Sequence, residues 1–320
     1  MTGDNKLIIE NFQGKKKAPI NTLSDYLKRY FGKKTVKLSI DGGFTCPNRD
    51  GTKGYGGCVF CSESGSGDMA SSALSAKDIS KSIQEQISLL REKWPNSYYL
   101  AYFQSHTNTY APISELREKF YAALSDPHIK GIVIGTRPDC IDDDVLDLLA
   151  ELNRSTLLWV ELGLQTIHEQ TAKFINRCYD LSVYEDCVKR LQSRGIKVVT
   201  HLILGLPGES RENMAESVEY VCNLNIWGLK LHLLNIIEGS PLAKTHRNYT
   251  VFDSLEDYVN LVCDLLEIIP YNIVIHRMTG DAPRKTLISP QWSYKKRSIL
   301  NGIYHELSKR GSVQGCKKAK

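Results

Sequence analysis

The sequence predicts an α/β protein built on a parallel β-sheet, because short apolar runs alternate along the chain with segments of helical periodicity. The runs are near-continuously apolar, which is typical of strands that are buried on both faces. A βα barrel and a doubly wound sheet both satisfy this pattern. No low-complexity linker divides the chain, and no repeat is tighter than the βα unit itself. We therefore predict one barrel domain with basic extensions.

Six strand-like runs and six helices make up the predicted barrel. The strands are predicted at residues 36–40, 98–104, 131–135, 157–164, 197–205 and 229–237. The helices are predicted near residues 76–93, 113–124, 142–152, 181–194, 211–223 and 255–268. A further strand is predicted at 272–277. We divide the chain into a basic N-terminal arm (1–35), the barrel (36–270) and a C-terminal strand with a basic helical extension (271–320).

The composition is that of an ordinary globular protein. The chain has 320 residues, of which 42% are hydrophobic and 24% are charged, so it can bury a full core. No stretch approaches the roughly 20 apolar residues that span a bilayer, and the first residues lack the apolar core of a signal peptide. We expect a cytoplasmic protein without membrane contact. In a reducing compartment its nine cysteines are expected to be metal ligands, catalytic thiols or core residues rather than disulfides.

The net charge of +5 hides an uneven distribution of charge. Residues 1–37 carry nine Lys and Arg against three Asp and Glu, and residues 284–320 carry ten against one. Basic ends on an acidic body suggest a polyanionic partner, although solvated tails have the same composition. Apolar residues recur near helical spacing from Trp292 to Leu307, so this part is predicted to be helical. Its residues Lys295, Lys296 and Arg297 are candidate phosphate contacts.

The loop after the first strand carries three cysteines, Cys46, Cys58 and Cys61. Its many glycines can fold closely around an inorganic cluster and aim N–H groups at sulfur. Three thiolates leave one iron of a cluster open to a ligand, whereas electron-transfer clusters usually have four cysteines. The alternative is a structural zinc site completed by Cys140 or His106, although such sites normally draw their ligands as two closely spaced pairs.

The loop, with Phe60 just before its last cysteine, resembles that of radical S-adenosylmethionine (SAM) enzymes. Its spacing and its segments CPNRDG and GGCVFC resemble the YtqA/YhcC subgroup, and the resemblance extends over nearly the whole chain. It implies a partial (βα)6 barrel of the TIM-like, radical SAM type. It also implies a [4Fe-4S] cluster on Cys46, Cys58 and Cys61, with SAM bound to the open iron. Reductive cleavage of SAM would then release methionine and a 5′-deoxyadenosyl radical.

The resemblance also implies which residues contact SAM. In this family the aromatic residue before the third cysteine contacts adenine, the loop after the second strand binds the amino group, and polar residues on later strands approach ribose or carboxylate. These roles fall on Phe60, on Gln104 with Thr107 and Asn108, and on Glu161, Gln165 and His201. Amide and hydroxyl acceptors suit an ammonium, and a carboxylate suits ribose hydroxyls. A histidine on a strand is as often a core residue, so His201 has two interpretations.

Two further groups of residues have alternative interpretations. Arg137 and Asp139 can pair with each other, or Arg137 can meet an anionic SAM carboxylate or a substrate phosphate, and the pairing is favoured. Cys140 is a candidate for a radical or covalent step because it follows the third strand. The cysteines outside the loop otherwise lack ligand spacing, so they are expected to be small buried hydrophobic residues. These are Cys140, Cys178, Cys187, Cys222, Cys263 and Cys316.

The leading functional hypothesis is modification of tRNA, because basic ends flank the barrel and because the subgroup is associated with wobble-uridine modification. The implied step converts 5-carboxymethylaminomethyl uridine to 5-aminomethyl uridine, ahead of methylation by a partner methyltransferase. A one-electron donor such as flavodoxin or ferredoxin would supply the reducing electron. The alternatives are a radical SAM enzyme for a small metabolite or a protein, and a non-catalytic, zinc-stabilised RNA-binding module.

Overall fold

The computed structural model describes residues 18–62, 65, 71–250, 252–281 and 284–317. Ten strands are assigned in these ranges: β1 Thr35–Asp41, β2 Ser71–Ser72, β3 Tyr98–Phe103, β4 Ile129–Thr136, β5 Leu157–Gln165, β6 Lys197–Leu204, β7 Gly228–Leu233, β8 Ile236–Ile237, β9 Val274–Arg277 and β10 Leu287–Ser289. The six predicted barrel strands are confirmed as β1, β3, β4, β5, β6 and β7. The last predicted run divides into β7 and the short β8.

Ten α-helices lie in the same part of the chain: α1 Leu23–Phe31, α2 Ala76–Lys93, α3 Ile113–Ala123, α4 Asp143–Ser155, α5 Glu169–Phe174, α6 Leu181–Ser193, α7 Arg211–Asn223, α8 Pro241–Thr245, α9 Leu255–Ile268 and α10 Lys296–Arg310. The six predicted helices are confirmed as α2, α3, α4, α6, α7 and α9, with ends that shift by a few residues. The predicted basic helix is α10. Residues 1–17 of the predicted N-terminal arm lie outside the described residues, as do Lys318 and Lys320.

The main sheet has eight strands in the order β2-β1-β3-β4-β5-β6-β7-β9. Every pair in it is parallel, and from β2 onward at least one helix lies between strands that follow each other in this sheet. The strands therefore curve into a partial barrel, as predicted. Strand β9 lies within the predicted strand 272–277 and pairs with β7, so it forms an edge of the barrel sheet. The division of the chain into arm, barrel and extension stays a prediction. Strands β8 and β10 form a separate antiparallel ribbon.

Side-chain caps fix where several of the helices begin. Helix α2 starts at a reciprocal cap in which the Asp78 backbone N–H donates to Ser75 Oγ at 3.2 Å and the Ser75 N–H donates to Asp78 Oδ2 at 3.1 Å. Ser210 and Asn213 form the same arrangement at the start of α7. Such caps satisfy N–H groups that lack a partner in the first turn. The helix starts are thus encoded locally, directly after the loops that form the cavity described below.

Helix α1 fills the end of the barrel at the amino ends of the strands. Its residues Leu23, Tyr26 and Leu27 are buried against inward-facing side chains of the sheet, which include Trp159. The Tyr26 ring lies 5.0 Å from the ring of Trp227 in an edge-to-face contact. An apolar plug of this kind removes the amino end of the barrel from water. The polar side chains that line the cavity described below lie toward the opposite end.

The two ends of the described chain meet beside this plug. The Asn21 backbone N–H donates to Gln314 Oε1 at 2.9 Å, and the Gln314 N–H donates to the carbonyl of Pro19 at 2.9 Å. Helix α10 packs along α9 and returns the chain to this end of the molecule. No helix in the described ranges is long and apolar enough to cross a membrane. The cytoplasmic location stays a prediction.

Candidate active site at the mouth of the barrel

A cavity of about 270 Å³ opens where the carboxyl ends of the parallel strands meet. Loops that follow parallel strands are the usual place for active sites in such sheets. The cavity is lined by the three loop cysteines and by most of the predicted SAM contacts, which are Cys46, Cys58, Cys61, Phe60, Gln104, Thr107, Glu161, Gln165 and His201. These residues come from four different strands and their loops and are brought together at one mouth.

Two tight turns position the cysteines within their loop. The Arg49 backbone N–H donates to the Cys46 carbonyl at 2.8 Å, and the Cys61 N–H donates to the Cys58 carbonyl at 3.1 Å. The second turn brings the two sulfur atoms of the Cys-x-x-Cys pair to one side. All three cysteines are half-buried. In the part of the chain that the structure describes, no three His, Cys, Asp or Glu side chains are grouped so that they could hold a single metal ion.

The cysteine loop is fastened to the segment that follows α5. Asn48 Nδ2 donates to the Asn176 carbonyl, and Asn176 Nδ2 donates to the Gly57 carbonyl at 2.8 Å. The Val59 N–H donates to the Ile175 carbonyl at 3.2 Å. Asn176 has a φ of 57°, a conformation that asparagine tolerates better than most residues. Hydrogen bonds to backbone carbonyls on both sides thus hold the cysteine loop against the segment that follows α5.

The surroundings of the cysteines favour a thiolate at one position. A hydrogen bond from Cys61, together with the nearby guanidinium of Arg137 and the amide of Asn48, lowers the pKa of Cys58 to about 7, although burial opposes this. The Asn48 Nδ2 to Cys58 Sγ distance is 3.7 Å. Thiolates are the form in which cysteine binds metals. The chemistry of these residues therefore suits metal ligation.

The segment after β3 carries the residues predicted to bind the SAM amino group. Gln104 and Thr107 line the cavity, and the Thr107 backbone N–H donates to the Thr45 carbonyl beside Cys46. Asn108 lies behind them, where its Nδ2 donates to the Gly135 carbonyl at 2.7 Å. Its Oδ1 is buried without a hydrogen-bond partner among the described residues. An unpaired buried acceptor is unusual, and it is compatible with a donor supplied by a ligand.

The remaining predicted contacts occupy the other walls. Phe60 and Gln165 line the cavity, and Gln165 has a φ of 69°, which places strain at the end of β5. Arg137 pairs with Asp139 through two hydrogen bonds of 2.9 Å, so the favoured pairing is confirmed. Lys53 approaches the same carboxylate at 3.3 Å. The roles assigned to Phe60 and Gln165 stay predictions.

Glu161 lies in a buried network that the sequence analysis did not identify. Its Oε2 accepts hydrogen bonds from Tyr102 Oη at 2.7 Å and from His201 Nε2 at 3.1 Å, and it also contacts Lys230 Nζ. Its Oε1 accepts from Trp159 Nε1 at 3.1 Å and lies 3.7 Å from Lys37 Nζ. Glu161 therefore lines the cavity and has hydrogen-bond or ion-pair partners at both of its carboxylate oxygens.

The network is held by charge as well as by hydrogen bonds. Burial alone would raise the pKa of Glu161, but the ammonium groups of Lys230 and Lys37 hold it well below its usual range. Burial lowers the pKa of His201 to about 4, so its imidazole is neutral at pH 7. The signal that could have revealed the partners is a polar residue on an inward position of an apolar strand, as at Lys230 in LKLHL.

The cysteines outside the loop divide into two groups. Cys187, Cys222 and Cys263 are buried, as predicted, whereas Cys178 and Cys316 are exposed, so the prediction is wrong for those two. Cys316 lies in a turn and Cys178 in an irregular segment, so neither is on the apolar face of a helix that the core would cover. Cys140 is not one of the described residues that line the cavity. Burial raises the pKa of its thiol. Its catalytic role stays a prediction.

Comparison with known proteins identifies the family of this chain. The model of the radical SAM superfamily matches residues 46–221. The chain belongs to the radical SAM superfamily. A radical SAM C-terminal domain model matches residues 226–309. The boundary between the two matches falls between α7 and β7, so the second match covers the last strands of the sheet together with α10.

Two bacterial relatives are similar over most of their length. The chain is 48% identical over 296 residues to the uncharacterized protein YtqA of Bacillus subtilis, covering 92% of this chain and 91% of that protein. It is 38% identical over 298 residues to the protein YhcC of Escherichia coli, covering 92% and 94%. The predicted subgroup is thus confirmed. The structure of Elp3 from Methanocaldococcus infernus has the same fold, with a TM-score of 0.64 at 16% identity over 88% of this chain and 64% of that one.

Radical SAM enzymes use a [4Fe-4S] cluster and SAM, and this chain is such an enzyme. The non-catalytic zinc module is thereby excluded. The residues at the cavity fit these groups on their chemistry, since three thiols face a space bordered by glycine. A Cβ atom on Gly57 would lie 3.0 Å from Arg49 Nε, and one on Gly65 would lie 3.0 Å from His106 Nδ1. Side chains at these two positions would crowd the cradle that the loop forms.

Proposed function

We propose that this radical SAM enzyme modifies the wobble uridine of tRNA by converting 5-carboxymethylaminomethyl uridine to 5-aminomethyl uridine. In this proposal Cys46, Cys58 and Cys61 hold the cluster. When bound, the cluster and SAM would supply a 5′-deoxyadenosyl radical that removes a hydrogen atom from the CH2 group of the carboxymethyl substituent. Return of a second electron from the substrate radical to the oxidised cluster would give an imine, and water would then break its C–N bond, releasing glyoxylate and leaving the primary amine. The resemblance to the YtqA/YhcC subgroup supports the nucleoside.

The observation that carries the proposal is the contact between the basic C-terminal segment and the cavity. Asp281 lines the cavity, and Lys296 Nζ lies 2.8 Å from Asp281 Oδ1. Lys295, Lys296 and Arg297 are exposed at the start of α10, close to this contact. The Arg284 guanidinium lies 4.6 Å from the centre of the Tyr294 ring in the same segment. A cationic surface with aromatic side chains beside a catalytic mouth suits a single-stranded RNA loop.

The chain's own residues have defined tasks in this proposal. Gln104, Thr107 and Asn108 accept from the SAM amino group, and the Phe60 side chain covers adenine. Gln165, Glu161 and His201 border the space for ribose or carboxylate. The apolar plug of α1 and the buried network beneath the cavity exclude water from below. Exclusion of water protects a reactive intermediate from side reactions.

Two partners follow from the proposed reaction. The cleavage of SAM consumes one electron, which a small donor such as flavodoxin or ferredoxin would deliver. The 5-aminomethyl uridine product is a primary amine, and a separate methyltransferase would methylate it. Both partners rest on the proposed reaction.

Comparison of modified nucleosides tests the proposal. Bulk tRNA from cells with and without the protein is digested and analysed by mass spectrometry, and we expect 5-carboxymethylaminomethyl uridine to accumulate when the protein is absent. The Cys58→Ser variant should fail to restore the product, whereas Cys316→Ser, at an exposed cysteine away from the loop, should restore it. An unchanged nucleoside profile would contradict the proposal and favour a small metabolite or a protein as substrate.

A further inference from the structure

The inner wall of the cavity carries a group of cationic and imidazole side chains on two neighbouring strands. Lys230 and His232 lie on β7, and both line the cavity. Arg277 ends β9, pairs in register with Lys230 and lines the same cavity. These three side chains are far along the chain from the cysteine loop, and none of them was identified from the sequence.

His232 has an unmet hydrogen-bonding group at this wall. Its Nε2 is buried without a partner among the described residues, while its ring lies 5.2 Å from the ring of His201. Burial holds the pKa of His232 well below its ordinary value, so the ring is neutral and can carry its proton on Nε2. A buried N–H without an acceptor is costly. A ligand atom that accepts a hydrogen bond would remove that cost.

The same wall carries more basic than acidic side chains. Glu161 is the carboxylate shared by Lys230 and Lys37, and burial lowers the pKa of both lysines. Arg277 Nη2 lies 2.8 Å from Asp281 Oδ2, and Asp281 is shared with Lys296. Within the described chain no other carboxylate comes within ion-pair distance of Arg277. A further anion would therefore balance the wall rather than crowd it.

We propose that His232 and Arg277, with Lys230 beneath them, form a subsite that binds a carboxylate of the substrate. A guanidinium can hold a carboxylate through two parallel N–H groups, and an imidazole N–H adds a third donor. The subsite rests on the proposed function, because the carboxymethylaminomethyl substituent carries such a carboxylate. It goes beyond that function by naming the residues that recognise the substituent. It also explains how a nucleoside without the carboxylate would be rejected.

Binding of two matched nucleosides tests the subsite without any turnover. Equilibrium dialysis of the cluster-loaded protein under anaerobic conditions compares 5-carboxymethylaminomethyl uridine with 5-methylaminomethyl uridine, which lacks only the carboxylate. We expect the wild-type protein to bind the first nucleoside about tenfold more tightly or better, the range of a charged hydrogen-bonded pair. Equal affinities, or no binding of either nucleoside, would overturn the proposal.

Three variants assign the effect to the named residues. Arg277→Gln and His232→Leu should each reduce the preference for the carboxylate to about threefold or less, while Arg154→Gln, an exposed arginine on α4, should retain it. Iron and sulfide analysis confirms that each variant holds its cluster. If one of the two site variants fails to do so, the other decides the question. Retained preference in a loaded site variant would overturn the proposal.

The carboxylate of SAM is a second source of the same chemistry, and the dialysis separates the two sources. A tenfold loss of SAM affinity in Arg277→Gln, with the nucleoside preference intact, would assign the subsite to SAM and overturn the proposal. The failure of the proposed function has a different signature. In that case tRNA from cells without the protein has an unchanged nucleoside profile, whatever the dialysis shows.

Discussion

Glu161 lines the cavity, as expected from the sequence, but its buried hydrogen-bond and ion-pair partners were not predicted. Its carboxylate is 1% exposed and would be costly to bury alone, yet two lysines, a tyrosine, a tryptophan and a histidine surround it. A buried ion pair of this kind contributes little net stability, but the loss of one partner is expensive. Because Glu161 and Lys230 are in direct contact, substitutions at the two positions should have interdependent effects on stability.

Substitution of Lys230 by methionine should destabilise the protein by about 3 kcal/mol, because Glu161 then loses the ammonium that faces its Oε2 atom. Methionine keeps much of the side-chain volume, so the effect reports charge rather than a cavity. The free energy of unfolding is measured by urea denaturation of wild type, Lys230→Met, Glu161→Gln and the double variant. The double variant should be more stable than the sum of the single effects predicts. Additive effects would show that the two residues do not interact.

Acid should unfold the protein partly through His201. In an unfolded chain histidine binds a proton near pH 6.5, whereas the pKa of about 4 in the folded chain keeps His201 neutral until much lower pH. Protons therefore favour the unfolded chain, and the stabilisation that is full above pH 6.5 is lost as the pH falls toward 4. Between pH 7 and pH 5 the wild type should lose about 2 kcal/mol more unfolding free energy than His201→Gln. Parallel pH profiles of the two proteins would contradict this.

Single residues differ in how visible they are in the sequence. Cys46, Cys58 and Cys61 could be predicted as ligands because they come from one loop at a recognisable spacing. Lys230 and His232 could not, because their partners come from other strands and their own strand reads as an apolar run. Contacts between side chains on different strands depend on the register of the sheet, so they can be recognised only in the folded structure.

The cysteine loop is the element whose shape depends most on close packing. A Cβ atom on Gly54 would lie 2.2 Å from Asn48 Oδ1 and 2.9 Å from Cys178 Sγ. Asn48 in turn contacts the sulfur of Cys58 and fastens the loop to Asn176. The absence of a side chain at Gly54 therefore keeps the asparagine in place. The loop shape and the cysteine positions depend on the same contact.

Substitution of Gly54 by alanine should lower the iron content of the reconstituted protein to less than about half, because the methyl group displaces Asn48. The matched control is Gly56→Ala, where no atom would lie within 4 Å of the added methyl group and only the φ of 78° is disfavoured. The control should keep most of its iron. Iron is measured per protein after anaerobic reconstitution, and equal loss in both variants would show that the contact between position 54 and Asn48 does not determine iron binding.

Helices and strands were predicted well where the local pattern of apolar residues is strong. The place of a strand in the sheet was predicted less well, because it depends on which strand it pairs with. Helices α2 to α9 begin at caps or breaks that the sequence displays, such as Ser75 and Ser210. The strand predicted at 272–277 was assigned to the extension because a short strand pattern does not reveal which strand it pairs with. Its parallel pairing with β7 brings Arg277 to the cavity. The pairing of this short edge strand therefore adds Arg277 to the residues expected at the site.

At the scale of the whole molecule, helix α10 links the cavity mouth to the opposite end of the barrel. Its first residues lie beside Asp281 at the mouth, and the chain after it packs beside Asn21 near the plug. The basic charge of the C-terminal region is thus spread along one side of the molecule. The uneven charge distribution was visible in the sequence, but its path past the mouth was not. That path depends on how α10 packs on α9.

Neutralisation of Lys295, Lys296 and Arg297 to glutamine should weaken tRNA binding and make it less dependent on salt. Each phosphate contact contributes about 0.7 to 0.9 to the slope of log affinity against log salt concentration, so the slope should fall by about 2 to 3. The matched control removes three exposed lysines elsewhere: Lys77, Lys81 and Lys189. Its slope should stay near that of wild type. Equal slopes in both triple variants would place the RNA on another surface.

The plug formed by α1 has a kinetic consequence. Since Leu23, Tyr26 and Leu27 close the amino end of the barrel, SAM and its cleavage products pass through the mouth between the strand ends. An RNA docked along the start of α10 would lie across that same opening. If the proposed RNA substrate docks there, SAM has to bind before the RNA, and 5′-deoxyadenosine leaves only after the RNA departs. Excess RNA should therefore slow turnover instead of saturating it.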